Sequence, residues 1–126
     1  MSLSNTAETL ALTFLFTTGS ATRPTTWYLG LHTSNPDEDD SGTEVTGGGY
    51  VRQSASFTVS GNTATTSADI EYPTATANYG TVTHCGIYDA STGGNLIAYA
   101  ALTTSKVIET GDVFRVPAGD LDITFD

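Results

Sequence analysis

The feature that most restricts the fold of this chain is its punctuation after Pro24. Turn-forming clusters recur at Ser60-Gly61-Asn62, Pro73, Asn78-Tyr79-Gly80, Gly93-Gly94-Asn95, Thr110-Gly111-Asp112 and Pro117-Ala118-Gly119. Glycine and asparagine accept the positive φ of tight turns, and proline presets its own φ. The stretches between these clusters suit strands better than helices. Expected strands are Thr26–His32, Tyr50–Val59, Thr63–Tyr72, Thr81–Tyr88, Asn95–Leu102, Lys106–Ile108, Asp112–Val116 and Leu121–Phe125. About a fifth of the residues are threonine, whose branched side chain favours a pleated surface. Within Thr26–His32, Trp27, Leu29 and Leu31 alternate with Tyr28, Gly30 and His32, the pattern of a half-buried strand. The expected fold is mainly β, an antiparallel β-sandwich or small barrel of about seven or eight strands.

One helix is expected, from Leu3 to Phe16 and closing at Thr17. Asn5 with Glu8 three residues on has the spacing of a capping box, and Leu12, Leu15 and Phe16 follow at helical intervals. The helix is short and its apolar face narrow, so it must dock, either on its own β domain or on a neighbouring subunit. A long acidic and glycine-rich loop fills 33–49. Residues 1–126 then form a single β domain, since 126 residues suffice for one core and not for two.

Charge narrows the function. Four Lys+Arg stand against 14 Asp+Glu, a net charge of −10. Nucleic-acid binding needs clustered cations that displace counterions, and attachment to anionic lipid needs the same, so neither partner is expected. No apolar run approaches the ~18 residues of a membrane span. The patch from Leu10 to Phe16 has no Lys or Arg before it, unlike a signal peptide. Synthesis in a host cytoplasm without export by the general secretory route is expected. A single cysteine, Cys85, excludes an internal disulfide.

Candidate chemistry is sparse. Asp37, Asp39, Ser41 and Gly42 match the opening of a calcium loop, but the twelfth position is Gly48 where a bidentate Glu belongs. A non-helical calcium site sharing Glu44 is the remaining form of that idea, and a solvated acidic loop is the expectation. His84 and Cys85 are neighbours on one strand, so their side chains face opposite ways and Cys85 reads as core. Gly47-Gly48-Gly49 has no following Lys-Ser/Thr or helix, so it reads as a flexible or tightly packed backbone, not a phosphate cradle. No carboxylate pair is singled out among the acids, and no catalytic, cofactor or metal residue is assigned. Among Trp27, Tyr28, Tyr50, Tyr72, Tyr79, Tyr88 and Tyr99, the expected exposed members are Tyr28 and Tyr79, of the kind that enriches protein contacts and sugar grooves.

Several motifs together point to a family. Trp27-Tyr28-Leu29-Gly30-Leu31-His32-Thr33, Asn35-Pro36, Gly42-Thr43-Glu44-Val45 and Gly47-Gly48-Gly49-Tyr50-Val51-Arg52 resemble a family of small tailed-bacteriophage structural proteins. So do Gly80-Thr81-Val82-Thr83-His84, Gly86-Ile87-Tyr88-Asp89-Ala90, Thr92-Gly93-Gly94-Asn95-Leu96 and Pro117-Ala118-Gly119-Asp120-Leu121. The resemblance spans nearly the whole chain. It implies a non-catalytic virion protein, of a family often labelled tail fibre and in part similar to head-decoration proteins. It also implies Trp where this chain has Cys85, hence a repacked core. The expectation is a capsid decoration (cement) protein on the outer surface of the phage head. Its partners are the major capsid protein and copies of itself, as a homotrimer. The alternative is a tail-fibre or tail-tip receptor- or glycan-binding module.

Overall fold

A computed structural model describes residues 1–125. The elements run β1 (Ser2–Leu3), α1 (Asn5–Phe16), β2 (Tyr28–His32), β3 (Gln53–Ser54), β4 (Phe57–Ser60), β5 (Thr63–Thr66), β6 (Ile70–Glu71), β7 (Gly80–Tyr88), β8 (Leu96–Ile108), β9 (Arg115–Val116) and β10 (Asp122–Thr124). Every strand pairing is antiparallel. A five-stranded sheet has the order β1-β8-β7-β2-β3, a second sheet the order β10-β5-β4, and β6 pairs with β9. The arrangement is sandwich-like, and among the described residues no sheet closes into a barrel.

Ten strands replace the expected seven or eight: two expected strands change sheet midway and divide, two others merge, and Ser2–Leu3 adds one. Tyr50–Val59 divides into β3, on the large sheet, and β4, on the second. The break falls at Ala55, whose N–H donates to Trp27 O at 2.8 Å. Thr63–Tyr72 likewise divides into β5 and β6, with Ser67 N–H donating to Ser56 O at 2.9 Å at the corner. Such corners carry a chain from one layer of a sandwich to the other. Conversely, the expected strands Asn95–Leu102 and Lys106–Ile108 are one strand, β8. Its register passes from His84↔Ala101 to Val82↔Lys106, so Leu102–Ser105 oppose Thr83 alone. That wide bulge bends β8 and interrupts an otherwise long edge.

The core forms where apolar residues of β2 and β7 meet in register, Leu29↔Ile87 and Leu31↔Cys85. Leu29, Leu31, Val82, Ile87 and Ala98 are fully buried, with Ile70, Tyr72, Tyr79 and Ile108 packed around them. Cys85 is buried as expected, and its thiol pKa is pushed up to about 11 by burial. It also lines a cleft of about 280 Å³ beneath β8, beside Ala100 and Leu121.

β2 is not half-buried, as its alternation suggested. Gly30 and His32, on the face opposite Leu29 and Leu31, are also buried. Loop 33–44 folds back beside the strand, with Val45 N–H donating to Leu31 O at 2.9 Å and a bridge pairing His32 with Glu44. Tyr79 is likewise inside: its N–H donates to Ile108 O at 2.8 Å and its ring lies edge-on to Tyr50, centroids 5.7 Å apart. Tyr28 is half-buried, not exposed.

Helix α1 starts two residues later than expected, because Leu3 belongs to β1 and pairs with Ala98. Its N-cap is Ser4, not Asn5. Ser4 Oγ accepts from Ala7 N–H at 3.1 Å and donates to Leu96 O, while Ser4 N–H donates to Ile97 O. Asn5 and Ser4 are both good caps. Docking decides between them, since Ser4 is buried against β8 and Asn5 is exposed.

Candidate functional site

Two regions concentrate the side chains capable of recognition: a polar cluster at one end of the large sheet, and the surface around α1.

The cluster is organised by Arg52. Its Nε and Nη2 donate to Glu44 Oε2 and Oε1, each at 2.8 Å, and Nη1 donates to Ala90 O and Gly93 O at 2.9 and 2.8 Å. The guanidinium carbon lies 3.5 Å from the centre of the Tyr88 ring. Tyr50 Oη donates to Glu44 Oε2 at 2.6 Å and accepts from Leu31 N–H at 2.9 Å. Burial pushes the Glu44 carboxyl upward, but the Arg52 and Tyr50 hydrogen bonds outweigh it and hold the pKa below the usual value. Burial and the Glu44 hydrogen bond raise Tyr50, so it stays a neutral donor. Sequence reading placed Glu44 only as a candidate calcium ligand and gave Arg52 no role. The available signal was that Arg52 is one of four cations on an acidic chain.

The other calcium candidates turn to local backbone. Asp37 Oδ1 accepts from Glu38 N–H and Asp39 Oδ1 from Ser41 N–H, at 2.9 and 3.2 Å. Gly42 packs onto the chain at Asn35: a Cβ there would stand 2.5 Å from Asn35 O. Among the described residues no three His, Cys, Asp or Glu side chains converge as a metal site. His84 and Cys85 face apart, His84 Nδ1 lying 2.8 Å from Thr83 Oγ1. All three glycines at 47–49 have positive φ, and Gly48 is pressed against Ala77, so the tight-backbone reading holds.

A chain of hydrogen bonds links the cluster to the acidic loop. Tyr88 Oη donates to Asp40 Oδ1 at 2.6 Å and lies 2.8 Å from His32 Nε2. The single phenolic proton is used on Asp40, so Nε2 must carry the imidazole proton and donate to Tyr88. His32 Nδ1 is then a buried acceptor with no partner among the described residues. Protonating it would create a buried N–H with nothing to bind. Burial, helped by Arg52 and His84, lowers the His32 pKa against the raising effects of Glu44 and Asp40. A folded pKa below the unfolded 6.5 gives stability that is complete above 6.5 and is lost as pH falls from there toward the folded value. Between pH 7.5 and 5.5 the protein should lose up to about 1.4 kcal/mol by this route. Denaturant melts at the two pH values check this, and His32→Gln should flatten the difference.

The second region has different chemistry. From Leu10 to Phe16 the helix is apolar all round except for Thr13. Leu12, Phe14, Leu15 and Phe16 are 59%, 72%, 64% and 77% exposed. A helix apolar on every side is normally enclosed. Beneath α1 an apolar groove of about 430 Å³ separates it from Trp27, Ile97 and Phe125.

A protein-family model described as Podophage GP4 fiber I protein gp80 matches residues 2–124. The chain belongs to that family. It is therefore a small structural protein of a bacteriophage virion, as the sequence motifs implied, and the family's label is that of a fibre. No curated protein matches the chain. No helix among the described residues is long and apolar enough to cross a membrane.

Proposed function

We propose that the chain is a non-catalytic, fibre-type subunit on the exterior of the phage particle, held there by protein contacts through α1. The observation that carries this reading is the run of exposed apolar residues Leu12, Phe14, Leu15 and Phe16, clustered on one helix of an acidic molecule. Exposed apolar surface of this kind marks an interaction site. The polar cluster supports a structural role as well, because its charged groups are spent on one another and on backbone carbonyls. The fibre description of the family favours an appendage over the capsid-decoration role expected first from sequence. Partners on this reading are other virion proteins and copies of the chain.

Immunogold electron microscopy of intact virions tests the location. Label on the tail or on projecting fibres supports the proposal. Label spread over the head would overturn it in favour of a decoration protein bound to the major capsid protein. The role of α1 needs substitutions that leave the fold intact, since Ser2–Leu3 and Ser4 are built into the large sheet. Leu12→Glu combined with Leu15→Glu should reduce incorporation into virions at least tenfold, measured by quantitative blotting of purified particles. Neutralising Asp37, Glu38 and Asp39 should leave incorporation within twofold of wild type. Asp40 is spared because it accepts the Tyr88 hydroxyl.

A further inference from the structure

We propose that the end of α1 is a proteolytic cleavage site of the free chain. An endoprotease with an apolar primary pocket hydrolyses the Phe16–Thr17 bond, and one that selects Arg or Lys finds no bond to cut in the folded molecule. The proposal is independent of where the chain stands on the particle.

A protease must draw several residues into its cleft as extended chain, so it cuts where exposed backbone is held by few hydrogen bonds. Thr17 to Trp27 lie in no helix or strand, and residues 14–20 are all exposed. Residues 18–26 make no backbone-to-backbone hydrogen bond with the rest of the fold. Gly19 N–H donates to Thr17 Oγ1 at 3.1 Å, a local turn, and Thr26 Oγ1 ties the far end of the segment to Asp89 O at 2.8 Å. The last turn of α1 has no basic side chain for its free carbonyls. Among the described side chains only Thr17 Oγ1 donates back to it, to Thr13 O at 2.7 Å.

Side chains decide which class of protease can use this segment. The residue before the scissile bond enters the primary pocket, an apolar slot taking an aromatic or leucine side chain and an acidic one taking Arg or Lys. Leu12, Phe14, Leu15 and Phe16 are exposed, and beyond α1 the one other exposed leucine or aromatic residue among those described is Phe125. Phe125 is held by its N–H, which donates to Asn62 O at 2.8 Å. Phe16 is the member of the set at the helix boundary, so it needs the least unwinding to reach a cleft.

The four cations are closed, each for its own reason. Arg23 is exposed in the open segment, but Pro24 follows it, and a ring that fixes φ and removes the N–H fits poorly after the scissile bond. The Arg52 side chain is 8% exposed and donates to Glu44, Ala90 O and Gly93 O. Lys106 lies in β8 opposite Val82, and Arg115 lies in β9 opposite Glu71 with its guanidinium paired to Asp69. These three bonds become available only when their surroundings open.

The reaction is a simple hydrolysis. Water adds across the amide, the C–N bond breaks, and Phe16 is left with a carboxylate and Thr17 with a free amine. Residues 1–16 are then held by the two β1 pairs and by Ser4 and Asn5. A lone helix of 12 residues is marginal in water, so α1 should part from the β domain. The cut disables α1 whatever α1 binds.

The purified full chain is treated under native conditions with chymotrypsin or with trypsin, and the products are weighed by mass spectrometry. Chymotrypsin should cut first after Phe16, at least about tenfold faster than trypsin cuts the same chain anywhere. Pro24→Ala should give trypsin a single new cut after Arg23, at least about tenfold faster than any in wild type, with unchanged circular dichroism. In urea, trypsin should cut after Arg52, Lys106 and Arg115, which makes their resistance a property of the fold. A first chymotryptic cut at any other bond, rapid tryptic cutting of the native wild type, or a Pro24→Ala variant that stays resistant would each overturn the proposal.

Discussion

Arg52→Met should lower the free energy of unfolding by about 2–3 kcal/mol, less than the cost of stranding one member of a fully buried ion pair because this one is part-buried. The Arg52 side chain is 8% exposed and that of Glu44 25%, so water can compensate only part of what is lost. Met preserves much of the apolar stem, and the effect therefore reports on hydrogen bonds and charge. Three things fail together: both Glu44 oxygens lose their donors, Ala90 O and Gly93 O lose theirs, and the Tyr88 ring loses its cation. Arg52→Lys should recover only a minor part, because an ammonium cannot present the guanidinium fork to Glu44 and the two carbonyls at once. Adding Glu44→Gln to Arg52→Met should restore some stability, since the stranded charge is removed. Denaturant unfolding of the four proteins checks the series. A loss below about 1 kcal/mol for Arg52→Met would mean the pair is screened like a surface salt bridge.

Gly48→Val should cost about 2–4 kcal/mol, combining a left-handed backbone penalty with overpacking. Gly48 has φ +64°, and a Cβ there would stand 2.7 Å from the backbone atom Ala77 O. Thr76 N–H donates to Gly48 O at 3.0 Å, so the two segments cannot part without losing that bond. Gly47 provides the comparison. Its φ is +80°, yet a Cβ there would meet nothing within 4 Å, so Gly47→Ala should cost only about 1 kcal/mol. Urea midpoints of both variants separate strain from contact. Equal losses would show that the approach to Ala77 relaxes at no cost.

The contrast between these glycines illustrates how far sequence reading reaches. A triple glycine ahead of Tyr50-Val51-Arg52 is recognisable as a tight or flexible backbone, because left-handed φ is a property of the residue itself. Which of the three is pressed against another segment depends on Ala77, nearly thirty residues away. The ion pair was hidden for the same reason. Glu44 and Arg52 lie eight residues apart across those glycines, and nothing in residue type pairs one acid among 14 with one of four cations. Tyr79 was misplaced because its turn neighbours Asn78 and Gly80 suggest solvent, whereas the turn folds inward onto Tyr50.

Properties that depend on a residue and its immediate neighbours were determined by the sequence alone. Gly61, Gly80, Gly94, Gly111 and Gly119 all take positive φ at the turns marked from sequence, and the strands lie between them. The burial of Cys85, the helix ending at Phe16 and the phage-protein motifs were legible in the same way. The tertiary structure decided which strands share a sheet, that Ser4 and not Asn5 caps α1, and that both faces of β2 are covered. It also decided that the start of α1 docks on β8 while its Leu12–Phe16 end stays exposed above an apolar groove. Each of these is set by contacts between segments distant in the chain, where free energy depends on the relative placement of surfaces and not on the order of residues within either one.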